Sequence, residues 1–256
     1  EDEVIIERYY ATDYKRLNFI RGFKEVFTYK NFFGYWLTWA GWGVATSLLI
    51  GMIVYVAVFL LQQSPTFVMI IMAIFILGAM ISVPIWLRIL KKVVDSKKTY
   101  LIGSIALTLS LGPLTFFQTM IDMIILVFIA GFSMGCAWTI LTPIIAANLQ
   151  DDFVVKTQRN QKGILIGGLA VLCTFVAFID DLLIATVFTL TGFDPGLEDY
   201  AALVASGADV GLVQIGIRLL VGIIPMSAMI LSTIAFWRIY DLTHEKVLEN
   251  KRKLKE

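Results

Sequence analysis

Charge is what this sequence lacks over much of its length. From Asn31 to Leu87 no side chain is charged, a run long enough for two membrane spans of about 20 residues each. With 58% of its 256 residues hydrophobic and a mean hydropathy of +0.80, the chain lies outside the soluble range. Histidine is nearly missing, since His244 in the charged tail stands alone. That matters for Gly131, Ser133 and Gly135, which match G-x-S-x-G. A hydrolase elbow needs a strand-turn-helix setting and a histidine partner. Here the motif falls inside an apolar helical run, so the two glycines read as a close helix-packing surface. Cysteine is scarce too. Cys136 and Cys173 lie in apolar runs and read as small buried hydrophobes, with neither a disulfide nor a metal expected. No basic-aromatic cluster points to nucleic acid. The lack of a repeated-arginine sensor or a carbonyl filter argues against a channel.

The charges that are present alternate. Arg8, Lys15, Arg16, Arg21, Lys24 and Lys30 precede the first apolar run; Arg88, Lys91, Lys92, Lys97 and Lys98 lie between the second and third. Lys156, Arg159 and Lys162 lie between the fourth and fifth, and Arg238, Lys246, Lys251, Arg252, Lys253 and Lys255 follow the sixth. The other connections hold acids: Asp122, then Asp194, Glu198, Asp199 and Asp209. Alternate loops are therefore basic, the positive-inside pattern. It predicts an all-α membrane protein, a bundle of six transmembrane helices with both termini cytoplasmic, in the cell (plasma) membrane. Only Arg218 breaks the alternation.

Residues 1–31 are expected to form a cytoplasmic segment. Leu17, Ile20, Phe23 and Phe27 recur there at helical spacing beside Arg16, Arg21, Lys24 and Lys30, which suits an amphipathic helix lying on the inner leaflet. The bundle occupies 32–240, with spans near 32–61, 65–87, 100–119, 122–149, 163–191 and 213–238. Pro65 suits the first turn of span 2. Tyr200 to Val213 could form an amphipathic surface helix, and 241–256 a solvated cytoplasmic tail. Six spans that begin and end inside divide into three plus three, as two inverted repeats would. The start at Glu1 without Met suggests the central loop of a longer chain, with membrane-embedded sequence upstream.

Asp180 and Asp181 are the sharpest functional clue. They fall near the middle of span 5, where an ionised carboxylate costs several kcal/mol, roughly, unless it is paired or wetted. Successive helix positions differ by about 100°, so the two acids point in different directions and at least one is expected to face a polar cavity. They could hold a cation, a proton or a substrate, or they could form a buried ion pair or a helix-helix hydrogen bond. Arg218, about six residues into span 6, is the natural partner, or it could snorkel to the outer headgroups. Trp36, Trp39 and Trp42 with Tyr35 crowd the start of span 1. Trp36 and Trp39 read as an interfacial belt, and Trp42 is deeper. Trp138 is flanked by Thr139 and Thr142, a combination that suits stacking on a sugar ring or ordinary helix packing.

Three stretches carry a resemblance. Pro84, Trp86 and Arg88 through Lys97, Lys98, Tyr100 and Gly103 form a basic loop. Asn148, Asp151 and Asp152 through Arg159, Lys162 and Gly163 run from acidic to basic. Gly192, Asp194 and Pro195, then Arg218, Pro225, Tyr240 and Asp241 close the series. In order and spacing these resemble the carboxy-terminal half of a major facilitator superfamily transporter, and more narrowly the glycoside-pentoside-hexuronide:cation symporters that include the melibiose permeases. The resemblance implies a twelve-helix secondary transporter that moves a small solute, a sugar or glycoside among the candidates, by alternating access. Symport would be driven by sodium or a proton, without a cofactor and without enzymatic activity. The partners implied are a missing amino-terminal six-helix bundle, membrane lipid and the solute. Asp151, Asp152, Arg159, Lys91 and Lys92 would belong to the cytoplasmic gating loops. The sequence departs from the family in three places. Asn148 stands where the acidic loop usually begins with an acid. The usual glycine of the basic loop is missing near Val94 and Asp95. Thr174 stands where the sugar transporters carry a lysine, with Asp180 and Asp181 further along. A non-transporting receptor, lipid-handling protein or assembly factor on the same scaffold is the alternative.

Overall fold

A computed structural model describes residues 19–64, 66–158 and 162–254, with side chains from Gly22 onward. Leu17 and Arg16, the side chains of Ile20 and Arg21, Pro65 and Arg159 lie outside the described residues.

Among the described residues all regular structure is helical. Five rods are long and apolar enough to cross a membrane: span 1 (Lys30–Leu60), span 2 (Thr66–Val93), span 4 (Met120–Thr157), span 5 (Lys162–Thr191) and span 6 (Val210–Ile239). Span 3 is shorter, with α-helix over Ser96–Leu111 and a 3-10 turn over Gly112–Thr115. Several boundaries differ from the sequence expectation, and capping explains why. Span 2 continues past 87 because Lys91 and Lys92 fill its last turn, where cations complement the helix dipole. Asp95 then accepts a hydrogen bond from the Lys98 amide at 3.1 Å, so span 3 starts at Ser96 rather than near 100. The surface helix expected over Tyr200 to Val213 is only Tyr200–Ala205. Asp199 caps that short helix and Asp209 caps span 6, so one expected element becomes two.

Span 1 packs against spans 5 and 6, span 4 packs against spans 2 and 3, and span 3 meets span 6. Exchanging 1 with 4, 2 with 5 and 3 with 6 turns this set of pairings into itself, as an inverted 3+3 repeat requires. The two central rods also share a local fault. Span 1 ends in a π-turn, where the Leu61 amide reaches the Val56 carbonyl at 3.0 Å. Span 4 is π-helical over Ala137–Ile145, around Pro143. A proline ring clashes with the carbonyl four residues back, and widening the helix there relieves the clash.

Spans 2 and 4 touch backbone to backbone. A Cβ on Gly131 would lie 2.2 Å from the Phe75 carbonyl oxygen, and one on Gly78 would lie 2.5 Å from that of Phe128. The packing role read for Gly131 and Gly135 is therefore what the fold uses, since a Cβ on Gly135 would lie 2.7 Å from the Ala79 carbonyl. On the outside of the bundle, span 3 exposes Ile102, Ile105 and Leu109.

The first helix, Phe19–Thr28, is not free on one face. Val26 is fully buried and lies against Gly168 of span 5, while Phe27 and Lys24 remain exposed. The tail helix, His244–Lys253, is mostly solvated as expected, except that Asn250 is buried.

Candidate functional site

Span 5 shows two kinds of exposed surface. One strip presents the bulky Val171, Phe175, Phe178 and Leu182. The adjoining strip, about a quarter-turn away at about 100° per residue, presents Gly163, half-buried Gly167, Ala170, Thr174, Ala177 and Asp181, spaced three or four apart so that they share a stripe. Among the described residues no atom from outside the helix itself lies within 4 Å of where a Cβ would stand on Gly163 or Gly167. Thr174 and Asp181 are seven residues apart on this stripe, roughly 10 Å along the axis.

Asp180 sits at the edge between the stripe and the core and is only 6% exposed. Its Oδ2 accepts a hydrogen bond from Ser47 of span 1 at 2.5 Å. Its Oδ1 is buried and has no hydrogen-bond partner among the described residues. The Ser47 hydroxyl also lies 2.9 Å from the Gly43 carbonyl oxygen. A hydroxyl has one proton and two lone pairs, so it can serve either neighbour. If Asp180 is ionised, Ser47 donates to it. If Asp180 carries a proton, Asp180 donates to Ser47, and Ser47 turns its own proton to Gly43. Both protonation states of the carboxyl therefore have a complete hydrogen bond here.

Arg218 does not join the acids. Its Nη1 donates to the carbonyls of Thr115 (3.1 Å) and Phe117 (2.6 Å), and its guanidinium lies 4.6 Å from the centre of the Phe117 ring. The helical end at Gly112–Thr115 leaves carbonyls unpaired, and Arg218 satisfies one of these and the Phe117 carbonyl beyond it. No ion pair joins it to Asp180 or Asp181 among the described residues. This corrects the expectation of a charge pair across spans 5 and 6.

The aromatic candidates divide. Trp42 is half-buried and donates to the Met134 sulfur. Trp138 and Thr142 are exposed on span 4, and the Thr142 hydroxyl bonds the Trp138 carbonyl at 3.1 Å. Thr139 points inward and bonds the Gly135 carbonyl at 2.6 Å, so it does not share a surface with Trp138. Ser47, which sequence reasoning missed, is the residue that contacts Asp180. Its only sequence signal is a hydroxyl in the middle of a charge-free run.

At the basic-loop end, Asp152 is 5% exposed and holds three elements together. Its Oδ1 accepts from Asn250 of the tail helix at 2.8 Å. Its Oδ2 accepts from Tyr29 and Asn31 at the start of span 1, the latter at 3.4 Å, and pairs with Lys156 at 3.0 Å. Lys156 also lies 4.8 Å from the centre of the Tyr29 ring. Asp151 pairs with Lys162 at 2.7 Å. Lys91 and Lys92 are exposed and form no ion pair among the described residues. Of the gating candidates among the described residues, Asp151 and Asp152 are thus tied to spans 5 and 1 rather than to Lys91 and Lys92.

No curated protein matches the chain. A family model described as MFS/sugar transport protein matches residues 1–244. The six-rod helical bundle, the exchange symmetry of its packing and this match agree, and the chain is a multi-pass membrane protein that belongs to the MFS/sugar transport protein family.

Proposed function

We propose that this chain forms one wall of a cation-coupled solute pathway, that a second six-helix bundle supplies the other wall, and that Asp180 is the coupling residue, with a proton as the coupling ion. The observation that carries this reading is the Ser47–Asp180 contact: a carboxyl nine-tenths buried between spans 1 and 5, with one oxygen unpartnered among the described residues and a hydroxyl able to bond it in either protonation state. Asp181 lies next to it on the stripe of small side chains that also holds Thr174. Small residues leave room for a solute or for another helix, whereas the bulky strip beside them does not. Trp138 and Thr142, exposed on span 4, offer an aromatic face and a hydroxyl to a solute such as a sugar or glycoside.

Alternating access would proceed by rocking this bundle against its partner. Proton uptake at Asp180 removes a charge from the low-dielectric wall, which favours the closed, desolvated arrangement. Release on the other side restores the charge. The basic-loop end, with both termini, would lie in the cytoplasm of a plasma-membrane protein.

The test uses the full-length protein in vesicles. Asp180→Asn is expected to keep expression and abolish solute-driven alkalinisation outside the vesicle, while exchange of solute for solute continues. Ser47→Ala is expected to weaken uptake and shift its pH dependence. Normal coupled uptake by Asp180→Asn and by Asp181→Asn between pH 5.5 and 8 would sink the proposal. Uptake that follows a sodium gradient and ignores pH would replace the proton with sodium.

A further inference from the structure

On the outer side of the bundle, away from the stripe on span 5, spans 3 and 6 enclose an apolar groove of about 430 Å³. Leu101, Ile105 and Leu109 line it from span 3, and Ile230, Ile234 and Trp237 from span 6. Leu101 to Leu109 extends roughly 12 Å along the axis, so the groove is elongated and runs with the helices. Thr108, which also lines it, turns its hydroxyl back to the Ser104 carbonyl at 2.7 Å. Thr233 also lines it, with a buried hydroxyl that has no hydrogen-bond partner among the described residues, and the remaining lining is hydrocarbon.

The mouth of the groove lies at the basic-loop end. Lys98 precedes Leu101 by three residues and so stands over it on the same face of span 3. Arg238 follows Trp237 directly. The two sides are close there, because Lys97 reaches across to the carbonyls of Trp237, at 3.2 Å, and Tyr240. Lys98 and Arg238 are exposed and form no ion pair among the described residues. The nearby acids are already engaged. Asp95 is buried and caps span 3, and Asp241 pairs with Lys246 at 3.1 Å. Trp237, 60% exposed, is the residue type that settles at the headgroup level.

A second apolar groove, of about 680 Å³, lies at the opposite end of the same side between Pro113, Phe117, Ile125 and Met226, but Asp122 stands in its lining. The two grooves are alike in hydrocarbon and opposite in charge.

We propose that the groove between spans 3 and 6 is a binding site for an anionic glycerophospholipid. One acyl chain lies along Leu101–Leu109 and Ile230–Trp237, and the phosphate-bearing headgroup rests on Lys98 and Arg238. Charge at the mouth selects the lipid, and the apolar walls hold it. The site is independent of Asp180, so it stands whether or not the coupling role does.

The test is retention of lipid by the full-length protein. Purified protein in nanodiscs of equal phosphatidylglycerol and phosphatidylcholine would be transferred to detergent, and bound lipid counted by native mass spectrometry. The wild type is expected to retain phosphatidylglycerol. Removing two interfacial cations in Lys98→Gln with Arg238→Gln is expected to lower its retention about thirtyfold, while Lys98→Arg keeps it. Ile105→Phe with Ile230→Phe fills the groove, leaves the charges, and is expected to displace the lipid equally. Size-exclusion and thermal-melting profiles identify any variant that fails to fold, and the Lys98→Arg comparison does not depend on those variants. Equal retention of the two lipids, or retention unchanged in both the charge and the filled-groove variants, overturns the proposal. So does a groove covered by a second copy of the chain, seen as a dimer that retains no lipid.

Discussion

Two aspartates are buried in this bundle to nearly the same depth, and their surroundings differ. Asp152 has Asn250 on one oxygen and Tyr29, Asn31 and Lys156 on the other. Asp180 has Ser47 on one oxygen and no hydrogen-bond partner on the other among the described residues. A buried polar group is ordinarily satisfied. A carboxylate with both oxygens engaged fastens the elements around it and gains little by changing state. One left half-satisfied lowers stability where it stands, and a proton or a ligand can improve its position. The difference teaches which of the two is structural and which is proposed to work.

The sharpest way to break this comparison is to remove both carboxylates separately. Asp152→Ala strands the buried hydroxyl of Tyr29 and the amide of Asn250, and groups left so cost about 1–3 kcal/mol each. A loss of roughly 3 kcal/mol is expected, read as a large drop in melting temperature and in folded yield. Asp180→Asn should do the opposite: unchanged or slightly raised stability, with coupled uptake lost. If the two variants melt alike, the distinction between fastening and working carboxylates fails.

A smaller effect is expected beside the fastened end, at Val94. This residue, in the two-residue link between spans 2 and 3, has φ of +65°. That is left-handed backbone, which a β-branched side chain adopts only under strain. The side chain is 53% exposed and contributes little packing. Val94→Gly should therefore raise stability by about 1 kcal/mol, measured by thermal melting of the purified protein. A fall would mean that the side chain holds the link through contacts that outweigh the strain.

The smallest effect concerns pH. Burial pushes the Asp241 carboxyl up, but Asn31 and Lys246 beside it pull it further down, so it lies below the usual carboxylate range. A group depressed on folding stabilises above its unfolded pKa, about 3.9, and that contribution is lost as pH falls through the lower folded value. The protection factor against hydrogen exchange in the tail helix His244–Lys253, corrected for the intrinsic exchange rate at each pH, should therefore fall in acid below about pH 4, and Asp241→Asn should flatten the response. A protection factor that is flat in the wild type would remove Asp241 from the fastening end.

Much of the architecture was legible because membranes impose simple rules. Alternating basic loops place the spans, and Gly131 and Gly135 four apart mark a close contact between helices. The stripe on span 5 is also a sequence pattern, three or four apart. The rest depends on distant residues. Asn250 and Asp152 are separated by 98 positions and Tyr29 and Asp152 by 123, and no local pattern pairs them. Ser47 ordinarily would read as a hydroxyl bonded back to its own helix, which it also is. For Arg218 the sequence offers the nearest opposite charge or the outer headgroups as partners, but unpaired carbonyls at a helix end compete for a guanidinium, and at Thr115 and Phe117 they win. The left-handed backbone at Val94, near where the resembled family usually has a glycine, is not something periodicity reveals.

The contact between spans 2 and 4 has a mechanical consequence. Where Gly131 meets the Phe75 carbonyl and Gly78 meets that of Phe128, there is no side chain between the two backbones to change rotamer and let one slide past the other. The pair behaves as a girder. Spans 2 and 4 are then expected to move as one stiff body, and any shear within the bundle to fall between other pairs of spans.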